Sequence, residues 1–238
     1  MGIHCYLAMT AAEIHNCQPL PKNPGWMACH FSSYGTGLSN LPRQLPPGAM
    51  IILNDRTPIH GHDPVQIKEQ LLELCAAFSP SRILLDLQRQ SQPQTETLVG
   101  VLTKDLPCPV GVSEAYAHAC DGAVFVSPCP VCTPLGKHFA PWNGRELWLD
   151  MALQSQSVII DQAGSHRCDE ILEELPEPVF TDPALCCRYH MEVLEDRVIF
   201  HLQRGKTELE MLLQQAEALG VTCAVGLYQQ LSSFLPLP

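Results

Sequence analysis

No apolar run in this sequence approaches the ~18 residues from which a membrane-crossing helix is read, so no transmembrane span is expected. Residues 1–10 lack a basic stretch leading into a long apolar one, and a secretory signal is not expected either; the chain reads as cytoplasmic. Basic residues are few, 14 against 25 acidic ones for a net charge of −11, and they are scattered, as at Arg43, Arg56, Lys68 and Arg82. A nucleic-acid binder gathers its cations to neutralise phosphates. Nucleic acid and anionic membrane surfaces are therefore not expected as partners. There is no internal repeat and no low-complexity segment. The glycine-rich phosphate loop that follows the first strand of a dinucleotide-binding fold is missing too, and no cofactor is expected.

Charged residues make up only 16% while hydrophobic residues reach 46%, which is too apolar for a disordered chain and enough for a large core. Twelve cysteines are present, several inside apolar runs, as Cys5, Cys29 and Cys223 are. Without an export signal they read as reduced, buried thiols.

Short apolar runs of strand length recur between helical stretches. They cover residues 3–9, 27–32, 49–53, 82–87, 110–114, 123–126, 147–150 and 222–228, with 157–161 placed beside the seventh. Such continuous runs are what strands covered on both faces look like. Asp63 and Pro64 read as the cap and first position of a helix over 65–78, ended by Ser79-Pro80. A shorter helix spans 95–102. A third spans 206–219, with Leu209, Leu212, Leu213 and Ala216 on one face and Gly220 as its stop. Residues 188–195 and 197–203 flank the polar turn Glu195-Asp196 and read as an antiparallel hairpin, and 19–26 and 173–183 as proline-rich loops. Eight strands with intervening helices predict a single-domain (β/α)8 barrel over 1–238, of the TIM type, with the hairpin inserted near the C-terminus; the runner-up is an open doubly wound sheet.

In such barrels function sits at the carboxyl ends of the strands. Several strands end in polar groups there: Asn54 and Asp55, Asp86 and Gln88, Glu114 and Tyr116, Asp150, then Tyr228. Alternation puts Leu84, Asp86 and Gln88 on one strand face, and Val110, Val112, Glu114 and Tyr116 on another. If both look inward, Asp86, Glu114 and Asp150 converge as catalytic carboxyls. Asn54, Gln88, Tyr116, Trp142 and Tyr228 then bind the substrate. The bland alternative is that these residues merely start loops. Trp148, Tyr34 and Phe139 join Trp142 and Tyr116 as aromatics that could stack on sugars or anchor loops.

The stretch Ser81-Arg82-Ile83-Leu84-Leu85-Asp86-Leu87-Gln88 resembles the fourth strand of chitinase-like glycoside hydrolases of family 18. In that family the strand carries acidic residues at alternate positions and ends in the glutamate that protonates the glycosidic oxygen. Asp86 matches; Ser81, Leu84 and Gln88 depart. The resemblance implies a barrel binding or acting on a carbohydrate-like small molecule at an altered site, because a glutamine cannot supply the proton. A non-catalytic ligand-binding barrel is the alternative.

Metal chemistry is a further alternative. Cys129-Pro-Val-Cys132 forms one C-x-x-C knuckle with Cys186-Cys187 downstream, whereas a structural zinc site takes two knuckles or a histidine pair. His60 and His62 could serve a metal-dependent enzyme, but Asp63 beside them is needed as a helix cap. No metal site is expected.

Overall fold

The computed structural model describes residues 2–33, 37–59, 61–89, 92–169 and 174–233. In chain order it shows β1 (His4–Met9), α1 (Ala11–Asn16), β2 (Pro24–Phe31), β3 (Leu38–Ser39), β4 (Met50–Asn54), α2 (Pro64–Phe78), β5 (Arg82–Asp86), α3 (Pro93–Leu102) and β6 (Val110–Ser113). A 3-10 turn (Glu114–Ala119) leads to β7 (Ala123–Val126) and α4 (Leu135–Phe139), and a second one (Ala140–Trp142) to β8 (Leu147–Met151). Then come β9 (Gln154–Asp161), β10 (Gly164–Asp169), β11 (Phe180–Asp182), β12 (Cys187–Val193), β13 (Arg197–Arg204), α5 (Lys206–Ala218), β14 (Val221–Leu227) and α6 (Tyr228–Leu231). The chain divides into two compact units. The first comprises Met1–Ser127, Gly144–Asp150 and Val221–Pro238; the second, Pro128–Asn143 and Met151–Gly220.

The first unit is the predicted barrel. Eight parallel strands run in the order β1-β14-β8-β7-β6-β5-β4-β2, and β1 also pairs with β2, which closes the ring. The short β3 adds antiparallel to β2. Closure pairs β1 with β2, and the strands pack on both faces, which is why most of them read as continuous apolar runs. The two faces of these runs fill two layers. Inside the ring lie Tyr6, Ile52, Leu84, Phe125, Trp148 and Val225. Outside it, Ile51, Leu53, Ile83, Leu85 and Val112 pack against Ile67, Leu71 and Leu74 of α2 and Leu98, Val99 and Leu102 of α3. The Asp63 side chain caps α2 by accepting from the Val65 N–H at 2.9 Å, with Pro64 in the first turn.

The interior is stoppered around Trp148, which is fully buried. Its indole N–H donates to Glu146 Oε1 at 3.1 Å, and Thr222 Oγ donates to the same oxygen at 2.7 Å. The guanidinium of Arg82 lies 5.8 Å from the Trp148 ring and 5.6 Å from that of Tyr6, whose hydroxyl accepts from Arg82 Nη1 at 2.8 Å. The Trp148 ring fits because β6 carries Gly111 opposite it. A Cβ built on Gly111 would lie 2.2 Å from Trp148 Cε3. Gly111→Ala is therefore expected to lower stability by about 1–3 kcal/mol, the cost of overpacking a filled core. Urea denaturation checks this, and a neutral result would mean that the indole has room to move.

The second unit differs from expectation. Its sheet has five antiparallel strands in the order β10-β9-β13-β12-β11, of which only β12 and β13 form the predicted hairpin, with His190 facing His201. Residues 157–161 do not pair beside the seventh barrel strand. They lie in β9, antiparallel to β13 and β10. The β10 strand was unreadable because all six of its residues are exposed, so it carries no apolar period. Its register is set by the preceding turn, where Asp161 Oδ1 accepts from the N–H groups of Ala163 and Gly164, the latter at φ +130. The proline-rich stretch after residue 173 contains the short β11.

Candidate functional site

The inner and outer layers decide which polar strand ends face the barrel interior. On β4 the inner residues are Met50 and Ile52, so Asn54 follows on that face; on β5 Leu84 leads to Asp86; on β8 Trp148 leads to Asp150. Asn54 and Asp86 are direct neighbours in the β4–β5 register. Asn54 is held by its amide, which donates to the Met27 carbonyl at 2.9 Å, while its Oδ1 accepts from the Arg56 N–H.

The charge of Asp86 acts on Asp150. Burial pushes the Asp150 carboxyl up to about 7, and the charge of Asp86 adds to the rise. Asp86 is itself raised, first by burial and also by the charge of Asp55, against a lowering hydrogen bond from Gln88. In the ring β5 and β8 are separated by β6 and β7, so this coupling runs across the barrel interior and not along a strand edge. Two half-buried carboxyls facing one space cannot both ionise freely, and near neutral pH Asp150 can either give or take a proton.

Gln88 is exposed just past β5, and its amide donates to Asp86 Oδ1. Its backbone is pinned by Asp55, a residue to which the sequence reading assigned no role. Asp55 is 5% exposed and accepts from the Gln88 N–H at 3.1 Å and the Arg89 N–H at 2.8 Å. Arg89 returns a bond from Nε to the Asp55 carbonyl at 2.9 Å. The signal available in advance was the Asn54-Asp55 pair itself: a short carboxylate at a strand end is suited to cap the N–H groups of a neighbouring turn.

The other residues chosen from sequence lie elsewhere. Val110, Val112 and Tyr116 belong to the outer layer, so the face of β6 carrying them looks toward the helices. Glu114 is half-buried at the start of the 3-10 turn and is not among the charges acting on Asp86 or Asp150. Tyr116 is buried, donates to the Arg89 carbonyl at 3.1 Å and lines a cavity of about 180 Å³ with Asp55, Ile59 and Thr95. Tyr228 opens α6, its hydroxyl 3.2 Å from the Cys17 thiol. Trp142 is half-buried in the second unit. Trp148 and Phe139 are core residues with no face left for a ligand. Tyr34 lies outside the described residues.

The metal alternatives find little support in the donor sets. His60 lies outside the described residues; His62 Nε2 is 3.0 Å from the Ser32 carbonyl and its ring meets Phe31 edge-on at 5.3 Å. Among the described residues no three His, Cys, Asp or Glu side chains form a group that could hold a metal ion. Cys129 is buried, its thiol donating to the Thr133 carbonyl at 3.2 Å, and burial pushes it up to about 11; Cys132 donates to Gln156 Oε1. All twelve cysteines are free thiols.

No family model matches the sequence. No curated protein matches it either. Solved structures do. A chitinase from Chromobacterium violaceum aligns over 98% of this chain and 96% of its own, with a TM-score of 0.56 and 8% identity. A glycoside hydrolase family 18 chitinase from Cycas revoluta, in complex with (GlcNAc)3, aligns over 94% of each chain, with a TM-score of 0.54 and 8% identity. The spore cortex-lytic enzyme SleL of Bacillus cereus aligns over 94% of this chain and 70% of its own, with a TM-score of 0.53 and 7% identity. At such identities the likeness is one of fold: the chain has a barrel similar to that of the family 18 chitinases.

Proposed function

We propose that the carboxyl end of the barrel binds a glycan-like small molecule, with Asp86 and Asp150 as its ionisable pair and Asn54 and Gln88 as neutral hydrogen-bonding groups. The observation that carries this reading is the coupling of the two aspartates across the interior of a barrel shared with chitinases. Near neutral pH Asp150 is partly protonated, so it can donate to a ligand hydroxyl or ring oxygen while Asp86 accepts from Gln88. Cleavage by the route of the family is not part of the reading. Where that family has its proton-donating glutamate, Gln88 offers an amide that donates hydrogen bonds but no proton. In this reading residues 1–238 work as one functional domain of a cytoplasmic protein.

Titration calorimetry with chitotriose tests the proposal. Binding without turnover is expected. Asp86→Asn and Asp150→Asn should each weaken it by about tenfold, as loss of a charged or proton-donating partner does. Gln88→Glu should gain weak hydrolysis, since a carboxyl in place of the amide that meets Asp86 would be raised by its like-charged neighbour. Turnover by the unmodified protein would show that Gln88 does not stand at the acid position. Absence of binding in every form would remove the carbohydrate reading.

A further inference from the structure

The outer surface of the barrel is thinly covered beside β2. In a (β/α)8 barrel each strand is followed by a helix that covers its outer face. Here α1 has six residues and buries none of them, and among the described residues between β2 and β4 there is no helix at all. The register of β2 against β4 also shifts between Trp26 and Cys29, an irregularity of the kind that re-aims side chains. The result is a groove of about 840 Å³, lined by Trp26 and Leu45 on its apolar side and by His15, Gln18, Arg43 and Gln44 among its polar groups. That volume lies in the roughly 300–1,000 Å³ range of small-molecule sites.

We propose that this groove is a second binding site, independent of the barrel mouth, and that it takes an anionic saccharide bearing a single carboxylate per sugar. Three features select that ligand. The indole N–H of Trp26 is already used, donating to the Asn40 carbonyl at 3.1 Å, so what the half-buried ring offers is its face, the surface on which the apolar side of a pyranose stacks. Carboxamides such as Gln18 and Gln44 match sugar hydroxyls as both donors and acceptors. The charged side chain in the lining is Arg43, with the imidazole of His15 nearby and no acidic side chain among the described lining residues, in a chain whose acids outnumber its Lys and Arg by 25 to 14.

The nearest carboxylate on α1, Glu13, is turned away into a capping box, where it accepts from the Thr10 N–H at 2.7 Å. Arg43 has no hydrogen bond or ion pair among the described residues, which leaves its planar fork available for bidentate pairing with one carboxylate. A nucleotide would bring several charges to one guanidinium. A fatty acid would need an enclosed apolar channel in place of this open, amide-rimmed groove.

Calorimetric titration with tetragalacturonate, and with the same oligosaccharide fully methyl-esterified, tests the assignment. The acid should bind and the ester should bind about tenfold more weakly, the worth of a charge-assisted pair. Arg43→Gln should reduce acid binding to the level of the ester, and Trp26→Ala should abolish both. Because Trp26 also packs on the outer core, Gln44→Ala provides a surface substitution that should weaken both ligands alike without touching the fold. Asp150→Asn, at the barrel mouth, should leave tetragalacturonate binding unchanged. Equal binding of acid and ester, loss of binding only in Asp150→Asn, or no binding by the unmodified protein would each overturn the assignment.

Discussion

Asp150→Asn is expected to make the protein more stable at pH 8 by about 2–4 kcal/mol and to leave its stability at pH 4 almost unchanged. The Asp150 carboxyl stands at about 7 in the folded protein against an ordinary value of 3.8. Its folded value is raised, so between pH ~4 and ~7 the unfolded chain has released this proton while the folded chain still holds it. Stability therefore falls as pH rises through that window. Below it both states are protonated and the group contributes nothing. Above it the full cost of ionising a half-buried carboxyl near Asp86 is present, about 4 kcal/mol for this displacement.

Asparagine removes the ionisation but still leaves a polar group to be desolvated, which is why the expected gain is somewhat smaller. Asp86 is raised as well, so the sign of its contribution is the same. Urea denaturation of both proteins at pH 4, 6 and 8 measures the effect, and the carboxyl carbon shift of Asp150 followed by NMR measures its cause. An equal difference at pH 4 and pH 8 would sink the idea that this carboxyl carries a proton at neutral pH. Under the proposed function, this cost is what a ligand site bears by holding two acids together.

Arg204→Met is expected to cost about 3–5 kcal/mol, read in the second unit. Arg204 is 1% exposed. Its Nε donates to the Cys186 carbonyl at 3.1 Å, Nη1 to the Cys129 carbonyl at 2.6 Å and to Gln154 Oε1 at 3.4 Å, and Nη2 to the Leu185 carbonyl at 2.9 Å. One planar group thus ties the start of the unit, near Cys129, to the turn before β12 and to β9. Methionine restores the volume but leaves three backbone carbonyls without this donor, at roughly 1–3 kcal/mol each. Against this stands the recovered cost of burying a guanidinium, whose pKa burial depresses. Because the chain divides into two compact units, denaturation should be followed by limited proteolysis within residues 151–220 as well as by circular dichroism. Arg204→Lys should fall in between, since a point charge cannot reach all four acceptors at once. A loss under about 1 kcal/mol for Arg204→Met would mean that the carbonyls find water or other donors.

The elements read best from sequence were those whose two faces are both apolar. β7 at 123–126 and β5 from Arg82 appear as expected, and α2 begins at Pro64 behind its Asp63 cap because cap, proline and apolar stripe all point to one start. The elements that were missed carry no such signal. β10 is polar throughout, β11 has three residues and sits among prolines, and each is a strand only because a neighbour offers it hydrogen bonds.

The amino-acid sequence by itself pointed to eight buried parallel strands and favoured a barrel over an open doubly wound sheet. It also marked Asp86 and Asp150 as polar ends of barrel strands. The pairing of β1 with β2 that closes the ring is a property of the tertiary structure. Only the tertiary structure decided which strand ends share a space. Alternation along a strand fixes two faces but not which of them is the inner one, and that is set by ring closure. So Asp86 and Asp150 face the interior across two intervening strands, while the same periodicity on β6 turns Tyr116 out toward the helices. Coupling between side chains far apart in sequence depends on their distance through the barrel, which no local pattern of residues encodes.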